Sequence, residues 1–138
     1  MKRYIALILL SFLLPRLANA QAAEYRVVFD LTSKDTMNHK AVLHWVHEIV
    51  DNNPAAKVEV VLYGLSLDLV TKGKSVAEQE VQKLTADKKA AFKVCAIAMK
   101  AHDVEKSMLI PGVEIVPDGI YEIVSRQHDG WAYIKGIR

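Results

Sequence analysis

The chain has 138 residues, 51% of them hydrophobic and 25% charged, with 6 Gly and 4 Pro, which excludes a disordered, collagen-like or low-complexity protein. Its single cysteine excludes an internal disulfide framework and any cysteine-rich zinc module. The formal net charge of +2 comes from the first twenty residues, where Lys2, Arg3 and Arg16 stand without an acid. The rest holds 15 basic and 16 acidic groups, so nothing marks a nucleic-acid partner.

The N-terminus reads as a targeting segment. Lys2-Arg3 is a short positive region, and residues 4–14 form an almost unbroken apolar run. Eleven residues are too few to cross a bilayer core of ~30 Å as a helix. Pro15 follows, and Ala18-Asn19-Ala20 sets small residues at both positions a signal peptidase reads. The expectation is a secretory signal over residues 1–20, cleaved between Ala20 and Gln21, with cleavage after Ala22 as the alternative. Residues 21–138 then form a single α/β domain that is periplasmic or secreted and, after cleavage, free of the membrane.

The mature chain opens with a strand over residues 25–30, rich in β-branched and aromatic side chains. Thr36 is the expected N-cap of a helix reaching Asn52, on which Val42, Trp45, Val46 and Ile49 recur as one buried stripe. Asn53-Pro54 ends it, because the residue before proline avoids the helical region. A second strand spans residues 58–63, and a helical turn covers residues 65–70. Ser75 and Glu78 have the spacing of a capping box, which predicts a helix from Ser75 to about Lys88. A third strand over residues 91–95 runs directly into a helix over residues 96–102. A fourth strand covers residues 113–116, Asp118 caps a helix over residues 120–127, and a last strand covers residues 131–134. Strands and helices alternate, and the strands are continuously apolar. That pattern predicts a mostly parallel sheet covered by helices on both faces.

In such a fold the ligand crevice lies beyond the carboxyl ends of the strands. Those ends carry residues 30–33, Tyr63-Gly64, Cys95 and Pro117-Asp118. Cys95 is the one strongly nucleophilic side chain among them. It enters a helix N-terminus, where unpaired N–H groups favour thiolate over thiol, and Lys93 shares its strand face. His102 lies seven residues on, two helical turns or ~10 Å away, too far to serve as a general base. The alternative is that Cys95 is a small buried hydrophobe, since free cysteine is among the most buried residue types. His44 and His47 flank the apolar stripe without a third ligand, so no metal site is expected. Trp131 and Tyr133 read as packing. No glycine-rich phosphate loop is present, and no cofactor is expected.

The chain resembles the exported, signal-peptide-bearing branch of the DsrE/DsrF-like sulfur-relay family. The resemblance rests on residues 57–64 (KVEVVLYG), 92–96 (FKVCA), 109–116 (LIPGVEIV), 117–124 (PDGIYEIV) and 130–135 (GWAYIK). It implies a three-layer α/β/α sandwich with a five-stranded, mainly parallel sheet, and assembly into trimers or hexamers. It also implies a persulfide-accepting cysteine, matched in position by Cys95, and a protein that donates or accepts the sulfur. The reading favours a non-catalytic sulfur carrier over an enzyme, with Lys93 as thiolate support. The competing reading is an oligomeric module for a small ligand or a protein, with Cys95 structural.

Protein recovered from the cell envelope should begin at Gln21 or just after it by N-terminal sequencing. A chain still beginning at Met1 contradicts the export expectation.

Overall fold

The computed structural model describes residues 24–136, in the order β1 (Arg26–Leu31), α1 (Thr36–Asn52), β2 (Lys57–Leu62), α2 (Glu78–Ala86), β3 (Ala91–Cys95), α3 (Ala96–Ala101), β4 (Glu114–Val116), α4 (Gly119–His128) and β5 (Ala132–Lys135). The signal segment and its junction at Ala20 and Gln21 lie outside the described residues. Two short 3-10 turns, Ser66–Val70 and Lys106–Met108, complete the chain.

All five strands are parallel, in the spatial order β4-β3-β2-β1-β5. The chain steps outward from β1 to β4 in one direction, then crosses the whole sheet to reach β5. Because such crossovers keep one hand, helices on the outward path fall on one face and the return helix on the other. The packing agrees. Val27, Phe29, Leu31, Val58, Val60, Leu62, Phe92 and Val94 point into the larger core, against Val42, Val46 and Val50 of α1, Val81 and Leu84 of α2, and Met99 of α3. The opposite face carries α4, where Ile123 meets Val28 and Val61, flanked by Tyr63 and Trp131. Strand alternation puts Asp30, Glu59 and Lys93 on this second face as well.

The helices depart from the periodicity in ways local chemistry explains. Asp35, not Thr36, caps α1, its side chain accepting the Met37 N–H at 2.9 Å. On α1, Val42 and Val46 of the expected stripe are buried, but Trp45 and Ile49 are only half-buried and Leu43 and Val50 complete the core contact. Trp45 stacks on Phe29, with ring centroids 6.4 Å apart. The Ser75–Glu78 capping box does not form. Glu78 Oε2 accepts the Gly73 N–H at 2.8 Å and Ser75 Oγ accepts from Ala77, so α2 starts only at Glu78. It stops at Ala86 because Lys88 takes a φ of 55°, outside the helical region. The ends of β1, β2, β4 and β5 differ from the expected ones by one residue, within the usual fraying of such limits. Asp118 caps α4 as expected, accepting from Ile120 at 2.8 Å and Tyr121 at 3.3 Å.

Candidate functional site at the strand ends

Parallel strands bring all their carboxyl ends to one edge of the sheet. The connections leave β3 and β4 towards opposite faces, to α3 and α4, so the gap between these two strands is the topological switch point, where ligands of such sheets bind. A row of polar groups crosses the α4 face at this edge. Lys135 pairs with Asp30, Asp30 with Val61, and Leu62 with Val94, which sets Tyr63 beside Cys95 one residue further on. The row is therefore Cys95, Tyr63, Asp30, Tyr133 and Lys135, drawn from β3, the end of β2, β1 and β5.

Cys95 is the last residue of β3 and the N-cap position of α3, with no capping bond from its own side chain. It is 5% exposed and unpaired with another sulfur. The first residue of α4 closes over it. A Cβ at Gly119 would lie 3.2 Å from the Cys95 Cβ, 3.3 Å from Val61 and 3.4 Å from the Tyr63 Cβ. Glycine there lets the N-terminus of α4 approach the cysteine closely.

Asp30 is 4% exposed. Tyr133 Oη donates to its Oδ2 at 2.6 Å, and Lys135 Nζ stands 3.7 Å from the same oxygen. Its Oδ1 is buried and has no hydrogen-bond partner among the described residues. The bond to Asp30 pushes the Tyr133 phenol up to about 12. Burial first, and then the Asp30 carboxylate, hold the Tyr63 phenol well above its ordinary range. Both tyrosines are therefore O–H groups at neutral pH.

Two residues back along β3, Lys93 does not stand free beside the thiol. Its ammonium lies 2.9 Å from Glu122 Oε1 and 3.2 Å from Glu59 Oε2. Arg126 completes the cluster, with Nε 3.0 Å from Glu59 Oε2 and a terminal nitrogen 3.0 Å from Glu122 Oε1. Its guanidinium also sits 4.9 Å over the Trp131 ring. Burial alone would lower the Lys93 pKa, but its two carboxylates outweigh burial and raise it. Burial raises Glu59, against the pull of Arg126 and Lys93. Burial would raise Glu122, but it ends below its ordinary value because Lys93, Glu59 and Arg126 together more than offset that burial.

The other expected positions have structural duties. Ser33 Oγ accepts from the Asn38 amide at 2.9 Å, and the buried His39 ring bonds the Ser33 carbonyl at 2.8 Å. His44 is exposed, while His47 Nε2 ties α1 to Glu80 of α2 at 2.9 Å. His102 closes the far end of α3 and lines a separate cavity of about 220 Å³ with Lys34, Asp68 and Lys74. Tyr133, expected as packing, is a hydrogen-bond donor to Asp30. Glu59, Glu122 and Arg126 escape a reading of spacing. The available signals are a lone acid inside the apolar run VEVVLY and an i, i+4 acid–base pair on α4.

Residues 15–135 match the DsrE/DsrF-like family. Among solved structures, the chain is similar to the protein of unknown function MTH1491 from Methanobacterium thermoautotrophicum, at 28% identity over 81% of this chain and 99% of that one, with a TM-score of 0.76. It also shares the fold of the conserved protein of unknown function BT1422 from Bacteroides thetaiotaomicron. That match has 15% identity, covers 85% of this chain and 99% of the other, and gives a TM-score of 0.68. The ychN protein from E. coli matches at 14% identity over 81% and 98% of the two chains, also at 0.68. No curated protein matches the sequence.

Lys93→Met tests the charged cluster. It leaves Glu59 buried against Arg126 alone and should destabilise the fold by about 3 kcal/mol at neutral pH. The sign with pH follows from each group. Glu59 is held above its ordinary 4.5, so its ionised form is the costly one, and that cost disappears as pH falls through its folded value. Glu122 is held below 4.5, so its contribution is present above that value and lost as pH falls further. Lys93 is held above 10.5, so its contribution is full below that value and lost as pH rises through the folded one. Urea unfolding should therefore show a deficit largest near neutrality and smaller at both extremes. A deficit independent of pH contradicts the electrostatic account.

Proposed function

The chain belongs to the DsrE/DsrF-like family, and on that premise we propose that it is an exported, non-catalytic sulfur carrier acting through Cys95. Cys95 thiolate attacks the outer sulfur of a donor persulfide. The donor's S–S bond breaks, the donor leaves as a thiolate, and it collects the proton Cys95 gave up. Attack by an acceptor's thiolate on the outer sulfur then returns Cys95 to its starting state. Exchange of this kind needs an accessible thiolate and no metal or nucleotide. The observation that carries the reading is the placement of the sole cysteine at the carboxyl edge of β3, beneath Gly119 and beside Tyr63.

One observation favours a second reading, a ligand-binding or protein-binding module with a structural cysteine. Cys95 is 5% exposed. A carrier built this way takes sulfur from small donors and excludes bulky ones. Native protein exposed to polysulfide should gain the mass of one sulfur atom, reversibly with a reductant, and Cys95→Ser should abolish the gain while keeping the fold. A bulky aromatic disulfide should react with the same thiol only after denaturation. Absence of any adduct on native protein, with a destabilised serine variant, supports the module instead.

The carrier works as a homo-oligomer, a trimer or hexamer, whose subunits meet on the α4 face. Ile120, Tyr121 and Val124 form an exposed apolar patch on the outer side of α4, and Ile115 of the edge strand β4 is exposed as well. A second copy of this chain covers such a surface better than water does. Light scattering at micromolar concentration should give a multiple of the mature chain's mass, and Tyr121→Lys with Val124→Lys should shift it towards one chain. A wild type with the mass of one chain contradicts the assembly.

A further inference from the structure

We propose that the cavity beside His102 is a binding site for a free α-amino acid with a small apolar side chain. It lies on the α1–α3 face of the sheet, away from Gly119, and stands or falls apart from the sulfur-carrier reading.

The cavity is built from strand ends. The loop after β1 supplies Lys34, the loop after β2 supplies Gly64 and Leu65, and the 3-10 turn that follows supplies Asp68. Buried polar groups hold these loops in place. Ser66 is fully buried and donates its hydroxyl to the Leu31 carbonyl at 2.7 Å, while the Leu65 N–H donates to the Thr32 carbonyl at 3.0 Å. The Asn38 amide and the His39 ring, both buried, fix Ser33 one residue before Lys34. Thr71, buried as well, donates to the Leu67 carbonyl at 2.8 Å and closes the turn. A cavity framed this way is formed before any ligand arrives, which lowers the cost of binding.

The charges around it are mixed and incompletely paired. Lys74 Nζ stands 3.8 Å from Asp68 Oδ1, beyond hydrogen-bond distance, and both side chains are half exposed. Lys34 enters no ion pair among the described residues. An α-amino acid carries the complementary charges on neighbouring atoms. Its carboxylate meets Lys74 and Lys34, and its ammonium meets Asp68. A simple anion gains from the lysines but is repelled by Asp68, and a simple amine meets the converse. A zwitterion satisfies all three charges.

The floor and the size narrow the class further. Leu67 and Val104 line the cavity and belong to the larger core, so an aliphatic side chain finds apolar contact there. The cavity holds about 220 Å³, below the ~300–1,000 Å³ of sites for drug-sized ligands, which excludes a nucleotide or a large cofactor. A cavity of ~150 Å³ takes a benzene ring, so a molecule the size of valine fits this one.

Titration of the nitrogen-labelled mature chain with L-valine tests the site, read from the amide resonances of Gly64, Leu65 and His102. Valine should shift these resonances saturably. Isovalerate, which lacks the ammonium, and valinamide, which lacks the carboxylate, should bind roughly tenfold more weakly, the loss of one charged hydrogen bond. Lys34→Met combined with Lys74→Met should weaken valine by at least about as much. Asp68→Asn should weaken valine while strengthening isovalerate, a reversal that partial unfolding cannot produce. All three side chains are exposed, so thermal unfolding of the variants should match wild type. The absence of a saturable shift with valine at about 10 mM overturns the site. Isovalerate binding as tightly as valine reduces the cavity to a general anion site and overturns the amino-acid assignment. Valine binding that the lysine and Asp68 variants leave unchanged overturns it too.

Discussion

The docking of α4 is the constraint on which the site depends. Among the described residues, α4 is the one helix on its face of the sheet, and the apolar seam beneath it is narrow, chiefly Val28, Val61 and Ile123. Such a seam holds a helix to a sheet but does little to fix its rotation or its slide. The Glu59–Lys93–Glu122–Arg126 cluster does that, with contacts of 2.9 to 3.2 Å reaching from β2 and β3 to α4. Buried ion pairs of this kind add little net stability over apolar replacements, because desolvation cancels most of the attraction. Their directional contacts fix a geometry instead. Once Glu122 and Arg126 are pinned, Gly119 is three residues from a fixed point and comes to rest against Cys95.

From that placement the chemistry follows by adjacency. A parallel sheet delivers one residue from each strand end to a common edge, and here the row includes the chain's sole cysteine, two tyrosines and an under-satisfied aspartate. Covering by Gly119 keeps large molecules from the thiol, which packs among the buried apolar side chains of the core. On the proposed carrier reading, that covering would hold sulfane sulfur against adventitious thiols. The outer side of α4 carries the exposed apolar residues Ile120, Tyr121 and Val124 near the same edge.

Much of this arrangement could be read from the sequence. The order of strands and helices, the five-stranded sheet, the Asp118 cap and the junction of Cys95 with a helix are short-range features, set by periodicity and by neighbours in the chain. What escaped the reading depends on distant pairing. Glu59 meets Arg126 across 67 positions and Tyr133 meets Asp30 across 103, so no window of sequence contains both partners. Lys93 looked like a cation available to the thiol because only its own strand was in view. The Ser75 box failed for the opposite reason, since a competing local bond from Gly73 captured the Glu78 carboxylate.

The central claim is that Cys95 carries sulfur in the living cell. Protein isolated from its own host under an alkylating quench, then digested and weighed by mass spectrometry, addresses this directly. The account predicts a population of Cys95 peptides bearing one extra sulfur between the cysteine and the alkyl group, lost when a reductant precedes the quench. Cys95 peptides alkylated only on the thiol, or not at all, under conditions that load other sulfur carriers of the same cells, contradict it.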